Sequence, residues 1–135
     1  MTYVIDSLAC TRSEATVYRY FDSFNRQDFS TTVALFAPEG ALLAPFEQPL
    51  EGPEPILAYL EKEAKGMEAA PKSLEVTTTP EGRMVVVKGS VKAIVFNVNV
   101  AWTFWLDSCD RIQQVQVKLL ASLQELMQFQ PKGEA

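Results

Sequence analysis

The hydrophobic period of this chain changes near Pro71. Before that point apolar residues recur every three or four positions, and after it every two. A helical period buries one stripe of a helix, and a period of two buries one face of a strand. Helices followed by strands predict an α+β domain, with the helices on one face of an antiparallel sheet. Such a sheet, curved around its helices, forms a cone with an apolar pocket at its mouth.

The first stretch divides at its capping and breaking residues. Thr11-Arg12-Ser13-Glu14 reads as a capping box that opens a helix. Val17, Tyr20, Phe21 and Phe24 then follow at helical spacing, and Asn25-Arg26-Gln27 is a turn. Asp28 is a good N-cap for a second helix carrying Phe29, Val33 and Phe36, which Pro38-Glu39-Gly40 stops. Residues 41–50 are apolar and proline-rich, which predicts a short edge strand or an extended loop. Pro53 and Pro55 suit the opening of a third helix with Ile56, Leu57, Leu60 and Ala64, ended by Gly66. Beyond Pro71, Leu74, Val76 and Thr78 alternate, Thr79-Pro80-Glu81-Gly82 turns, and 84–93 is a β-rich run. Val98, Val100, Trp102, Phe104 and Leu106 alternate cleanly. Asp107-Ser108-Cys109-Asp110 makes a hairpin loop, 112–121 a last strand, and Ser122 with Glu125 a second capping box for a short C-terminal helix through Phe129. The expected division is an N-terminal arm (1–12), one domain (13–130) and a tail (131–135). One domain suits 135 residues.

Composition narrows the function. The chain has no His, which removes Ser-His-Asp and Cys-His pairs and His-based zinc sites. Two Cys make no disulfide framework, which predicts a reducing, cytoplasmic setting; Cys109 falls in a loop, as a free thiol or an intermolecular link. No glycine-rich phosphate loop is present. A net charge of −5 with scattered Lys and Arg speaks against nucleic acid as a partner. No apolar run is long enough to cross a membrane, and the first residues lack the pattern of a signal peptide. What remains is carboxylate or Tyr chemistry, a cofactor, or binding alone.

With these residues in this order, the chain resembles the NTF2-like superfamily of cone-shaped α+β domains, over almost its whole length. Phe36-Ala37-Pro38-Glu39-Gly40-Ala41, Pro45-Phe46-Glu47-Gln48-Pro49-Leu50-Glu51-Gly52 and Arg19-Tyr20-Phe21 are similar to blocks of the ketosteroid isomerases. They are more similar to the C-terminal domain of the orange carotenoid protein of cyanobacteria and its free-standing homologues. Asn99-Val100-Ala101-Trp102-Thr103-Phe104 and Leu119-Leu120-Ala121-Ser122-Leu123-Gln124-Glu125-Leu126 favour this second branch. At the isomerase base stands Ala44, and at its second oxyanion donor Val100, leaving only Tyr20 of that site. Loss of a general base removes about 10²–10⁴-fold of rate.

The resemblance therefore implies a ketocarotenoid-binding protein, a carrier or photoprotective module without catalysis. The implied ligand is of the canthaxanthin or echinenone type. Tyr20 and Trp102 match the pair that hydrogen-bonds the keto oxygen, and Val100, Phe104, Pro45 and Phe46 complete the implied binding set. Spacing alone leaves Tyr20 and Trp102 as core aromatics. The segment before Asn99 lacks the family's Pro-Trp-Phe-Gly-rich stretch, so Phe96 or Trp105 is left to replace a second ring-contacting Trp, and Trp105 has the wrong strand parity. The implied partners are a second copy, a helical carotenoid-binding domain, and transient contact with a membrane during pigment uptake. The alternatives are a ketosteroid-isomerase-like enzyme using Tyr20 and a further carboxylate, or a dimerisation module with an empty pocket.

Overall fold

The computed structural model describes the backbone of residues 8–94 and 96–120, with side chains from Glu14 onward. The elements are α1 (Leu8–Asn25), α2 (Phe29–Ala34), β1 (Phe36–Leu43), β2 (Leu50–Glu51), α3 (Pro53–Glu63), β3 (Glu68–Thr79), β4 (Gly82–Lys92), β5 (Asn97–Asp107) and β6 (Ile112–Leu120). The strands form one six-stranded sheet in the order β2-β1-β6-β5-β4-β3. Helices precede the long strands, as the change of period predicts. The arm over residues 1–7 and the expected C-terminal helix and tail lie outside the described residues.

Helix α1 begins at Leu8, so Thr11 stands inside it and does not cap it. Its apolar stripe is the expected one: Val17, Tyr20, Phe21 and Phe24 are all buried. Full burial of such a side chain contributes about 1.5–3 kcal/mol. The helix stops at Asn25, and Gln27 takes a left-handed turn conformation with φ 65°. Asp28 caps α2 as expected, accepting from the Thr31 N–H at 3.4 Å and the Thr31 hydroxyl at 2.7 Å. Between α1 and α2 the buried Ser23 and Thr32 hydroxyls meet at 2.6 Å, and Ser23 also donates to the Arg19 carbonyl.

Phe36 belongs to β1 and not to α2. The Ile112 N–H donates to the Leu35 carbonyl at 3.0 Å, and Phe36 pairs with Ile112 of β6, so the sheet captures the chain as the helix ends. Pro38 and Glu39 do not break this strand, because its register shifts between Phe36 and Ala41. A bulge there relieves Pro38 of the ladder N–H it lacks. Of the edge strand or loop expected over 41–50, residues 41–43 belong to β1, which lies between β2 and β6, antiparallel to the first and parallel to the second, while 44–49 form a loop and Leu50 opens the edge strand β2. All other pairs are antiparallel. Helix α3 opens at Pro53, after Gly52 at φ 90°, as its prolines predict.

The long strands supply the core wall. On β5 the residues Val100, Trp102, Phe104 and Leu106 are buried, while Ala101, Thr103 and Trp105 face the other side. Val85, Val87 and Val91 of β4 and Ile112 and Val115 of β6 extend the same apolar surface under the helices. The β5–β6 hairpin is closed by Asp107, whose carboxylate accepts from the Cys109 and Arg111 N–H groups, both at 2.9 Å, and from the Arg111 guanidinium at 3.1 Å. The Thr16 hydroxyl donates to the Asp110 carbonyl at 3.0 Å and ties α1 to that loop.

Candidate functional site

Between α1, α3, the loop after β1 and the wall of β4, β5 and β6 lies a cavity of about 350 Å³. This is the low end of the range for small-molecule sites. Its wall is apolar, with Leu42, Leu60, Val98, Val100 and Val117 among its members. Tyr20 and Trp102 line it together, the first from α1 and the second from β5. Their exposures are 3% and 4%. Neither the Tyr20 hydroxyl nor the Trp102 indole N–H has a hydrogen-bond partner among the described residues. Buried polar atoms are normally paired, so two unpaired donors on one apolar cavity fit an acceptor supplied by a ligand.

Both rings are held by packing. Phe104 meets Tyr20 edge-on at 5.0 Å, and Phe21 meets Trp102 edge-on at 4.7 Å. Phe21 and Tyr20, successive on α1, also meet edge-on at 5.4 Å. Edge-to-face pairs of this kind contribute about 0.5–1.5 kcal/mol beyond burial. They fix the direction of both donors before any ligand arrives. Burial pushes the Tyr20 phenol well above its ordinary range, and Tyr59 adds to the shift. Tyr20 is therefore a donor at any physiological pH and not a base.

The sequence-derived set divides in the structure. Tyr20, Trp102, Val100, Pro45 and Phe46 all line the cavity. Phe104 does not: it is fully buried behind Tyr20, because its place on β5 points it into the helix packing and not into the open end. Ala44 and Val100, the two positions where an isomerase would carry carboxylates, line the cavity as apolar residues. Phe96 lines it too, whereas Trp105 lies on the opposite face of β5. Phe46, Phe96 and Leu119 give the cavity an apolar lip, with exposures of 94%, 44% and 46%. Phe46 stands at a left-handed φ of 64°.

Sequence reasoning missed the contribution of α3. Tyr59 and Glu63 line the cavity from one row of that helix, and Glu47 joins them from the loop after β1. Their signal was weak but present: Tyr59 and Glu63 are four apart, and Tyr59 follows the buried Ile56 by three. Burial raises the Tyr59 phenol above its ordinary range, and the charges of Glu47 and Glu63 raise it further.

The Tyr20 shift has a measurable consequence. The folded state holds the Tyr20 proton above the unfolded pKa of about 10, so the unfolded chain binds fewer protons there and stability falls as pH rises. Between pH 10 and 12, Tyr20 is expected to contribute a loss approaching about 1.4 kcal/mol per pH unit. Denaturant unfolding at successive pH values reads this slope. An equally steep alkaline loss in Tyr20→Phe would remove Tyr20 as its source.

Orange carotenoid-binding proteins of Synechocystis sp. and Limnospira maxima are 34% and 32% identical to this chain over 122 and 120 residues. Those alignments cover 87% and 85% of this chain but 38% of each relative, so the chain spans well under half of their length. The solved orange carotenoid protein of Anabaena (Nostoc) sp. that binds canthaxanthin superposes with a TM-score of 0.76 at 31% identity, over 84% of this chain and 38% of that one. An epoxide hydrolase/cyclase-like enzyme of salinomycin pyran ring formation superposes at 0.70 with 17% identity, covering 85% and 94%, and shares the fold alone. The SnoaL-like domain matches residues 17–114, from the middle of α1 to the first half of β6. That span contains Tyr20, Ala44, Val100 and Trp102, and with it the floor of the cavity, so the chain belongs to the family of SnoaL-like domains, with the NTF2-like fold of the orange carotenoid protein's C-terminal domain.

Proposed function

We propose that this chain binds a ketocarotenoid, of the canthaxanthin or echinenone type, and turns nothing over. The observation that carries the reading is the pair of buried donors, Tyr20 O–H and Trp102 N–H, unpartnered among the described residues and set in one apolar cavity. A keto oxygen accepts from both, and the ring fills the apolar space around them. Similarity to orange carotenoid-binding proteins, over most of this chain, supports the same ligand class. Ala44 and Val100 are apolar where an isomerase would carry carboxylates, and the two carboxylates that line the cavity among the described residues, Glu47 and Glu63, are exposed to water. The protein is then a cytoplasmic carrier or photoprotective module.

Expression in a ketocarotenoid-producing host tests this. A purified protein with a visible absorption band is expected, together with no turnover of a β,γ-unsaturated steroid ketone above buffer. Colourless protein from such a host overturns the binding reading. Turnover that disappears in Tyr20→Phe establishes the isomerase-like alternative.

A cavity of about 350 Å³ shelters one ring end of the ligand. The polyene is roughly 30 Å long, about the width of a small domain, and would otherwise leave the cavity into water past Phe46, Phe96 and Leu119. A second copy, or a helical carotenoid-binding domain, covers the remainder. Loaded protein without a partner is thus expected to scatter light as a dimer. A purely monomeric loaded sample would count against the second copy.

A further inference from the structure

The polar groups of the cavity are of two kinds, sorted by element. The floor offers Tyr20 O–H and Trp102 N–H, both donors. Tyr59 and Glu63 from α3, with Glu47 from the loop after β1, line the same cavity, and both carboxylates are exposed to water. Among the described residues no Lys or Arg lines it. Neither Glu47 nor Glu63 has an ion pair among the described residues.

We propose that Glu47 and Glu63 make the cavity charge-selective, admitting apolar ligands with neutral carbonyl or hydroxyl ends and rejecting those that end in a carboxylate. The proposal rests on the carbonyl-binding reading of Tyr20 and Trp102 and specifies its ligand class. A carboxylate-ended polyene or fatty acid has two ways in, and both are unfavourable. With its acid end at the floor it buries an anion in an apolar site that offers two neutral donors and, among the described residues, no cation. With its acid end outward it brings a third negative charge to Glu47 and Glu63, and like charges gathered at one cavity repel. A neutral end meets neither obstacle. The raised Tyr59 phenol agrees, since both carboxylates act on a group within this same cavity.

The test uses two retinoids with the same ring ketone and different tails, 4-oxoretinol and 4-oxoretinoic acid, titrated against protein tryptophan fluorescence. Wild-type protein is expected to bind the alcohol at least about tenfold more tightly than the acid, with the ratio shrinking as salt rises. In the Glu47→Gln/Glu63→Gln double variant the ratio is expected to fall to within about threefold, and in Glu47→Lys the acid is expected to gain further on the alcohol. Equal affinities in the wild type, or a ratio unmoved by both variants, overturn the charge selection and leave the carbonyl-binding reading standing. If neither retinoid binds, that reading falls and the selection falls with it.

Discussion

Protein carrying both Tyr20→Phe and Trp102→Phe, co-expressed with a ketocarotenoid, is expected to retain little pigment. Each single variant is expected to keep a weaker, blue-shifted visible band. A neutral hydrogen bond contributes on the order of 1 kcal/mol, so one loss weakens binding several-fold. The double loss is disproportionate, because the keto oxygen is then buried with no donor at all. Both side chains are nearly fully buried; phenylalanine keeps the Tyr20 ring against Phe104, and at position 102 it keeps an aromatic ring beside Phe21 while giving up part of the indole volume. The ratio of visible to ultraviolet absorbance reads the pigment content. Wild-type ratio and spectrum in all three variants would return Tyr20 and Trp102 to the status of ordinary core aromatics.

The second large effect is on folding. Phe104→Ala is expected to cost about 3–5 kcal/mol, the range for truncating a buried aromatic. Phe104 is completely buried, and it holds Tyr20 at 5.0 Å and Phe21 at 5.8 Å. For a domain of 135 residues this corresponds to a fall in Tm of roughly 10–20 °C. Phe104→Leu keeps most of the volume, so it is expected to cost under about 1.5 kcal/mol and to keep the visible band of the loaded protein. That pair separates the ring behind the donor from the donor itself. A Tm loss of only a few degrees in Phe104→Ala would mean that the core closes over the gap.

Local signals in the sequence carried most of the fold. Strand β5 was legible because its alternation is unbroken from Val98 to Leu106, and the same parity put Trp105 on the far face. Asp28 and Pro53 marked helix starts because a cap and a first-turn proline act on their own neighbours. Strand β1 was not legible, since Pro38 and Gly40 look like breakers until β6, more than seventy residues later, supplies the pairing. The start of α1 was misplaced because a capping box is also compatible with a helix interior. The site shows the same divide. Tyr20, Trp102, Val100, Pro45 and Phe46 were reached through the family resemblance, and five side chains from three segments do meet. Phe104 shares the parity of Trp102 but lies deeper, a difference of depth that alternation does not encode. Glu47 and Glu63 come together only through the placement of α3 over the loop after β1, and no spacing links them.

The Asn25 side chain acts as a terminator at the start of β3. Its amide donates to the Ala69 carbonyl at 2.9 Å and its carbonyl accepts from the Ala69 N–H at 2.7 Å, the two bonds a neighbouring strand would otherwise make. Beside it the Gln27 amide donates to the Met67 carbonyl, and Pro71 brings no N–H to the outer row of β3. At the opposite end of the sheet, β2 is only two residues long. The start of β3 and the short β2 margin thus offer little template to a passing strand, a guard against edge-to-edge association at those places. Asn25→Ala would unmask the start of β3, and slow turbidity in concentrated stocks, with ligand binding retained, is the behaviour that such an opening predicts.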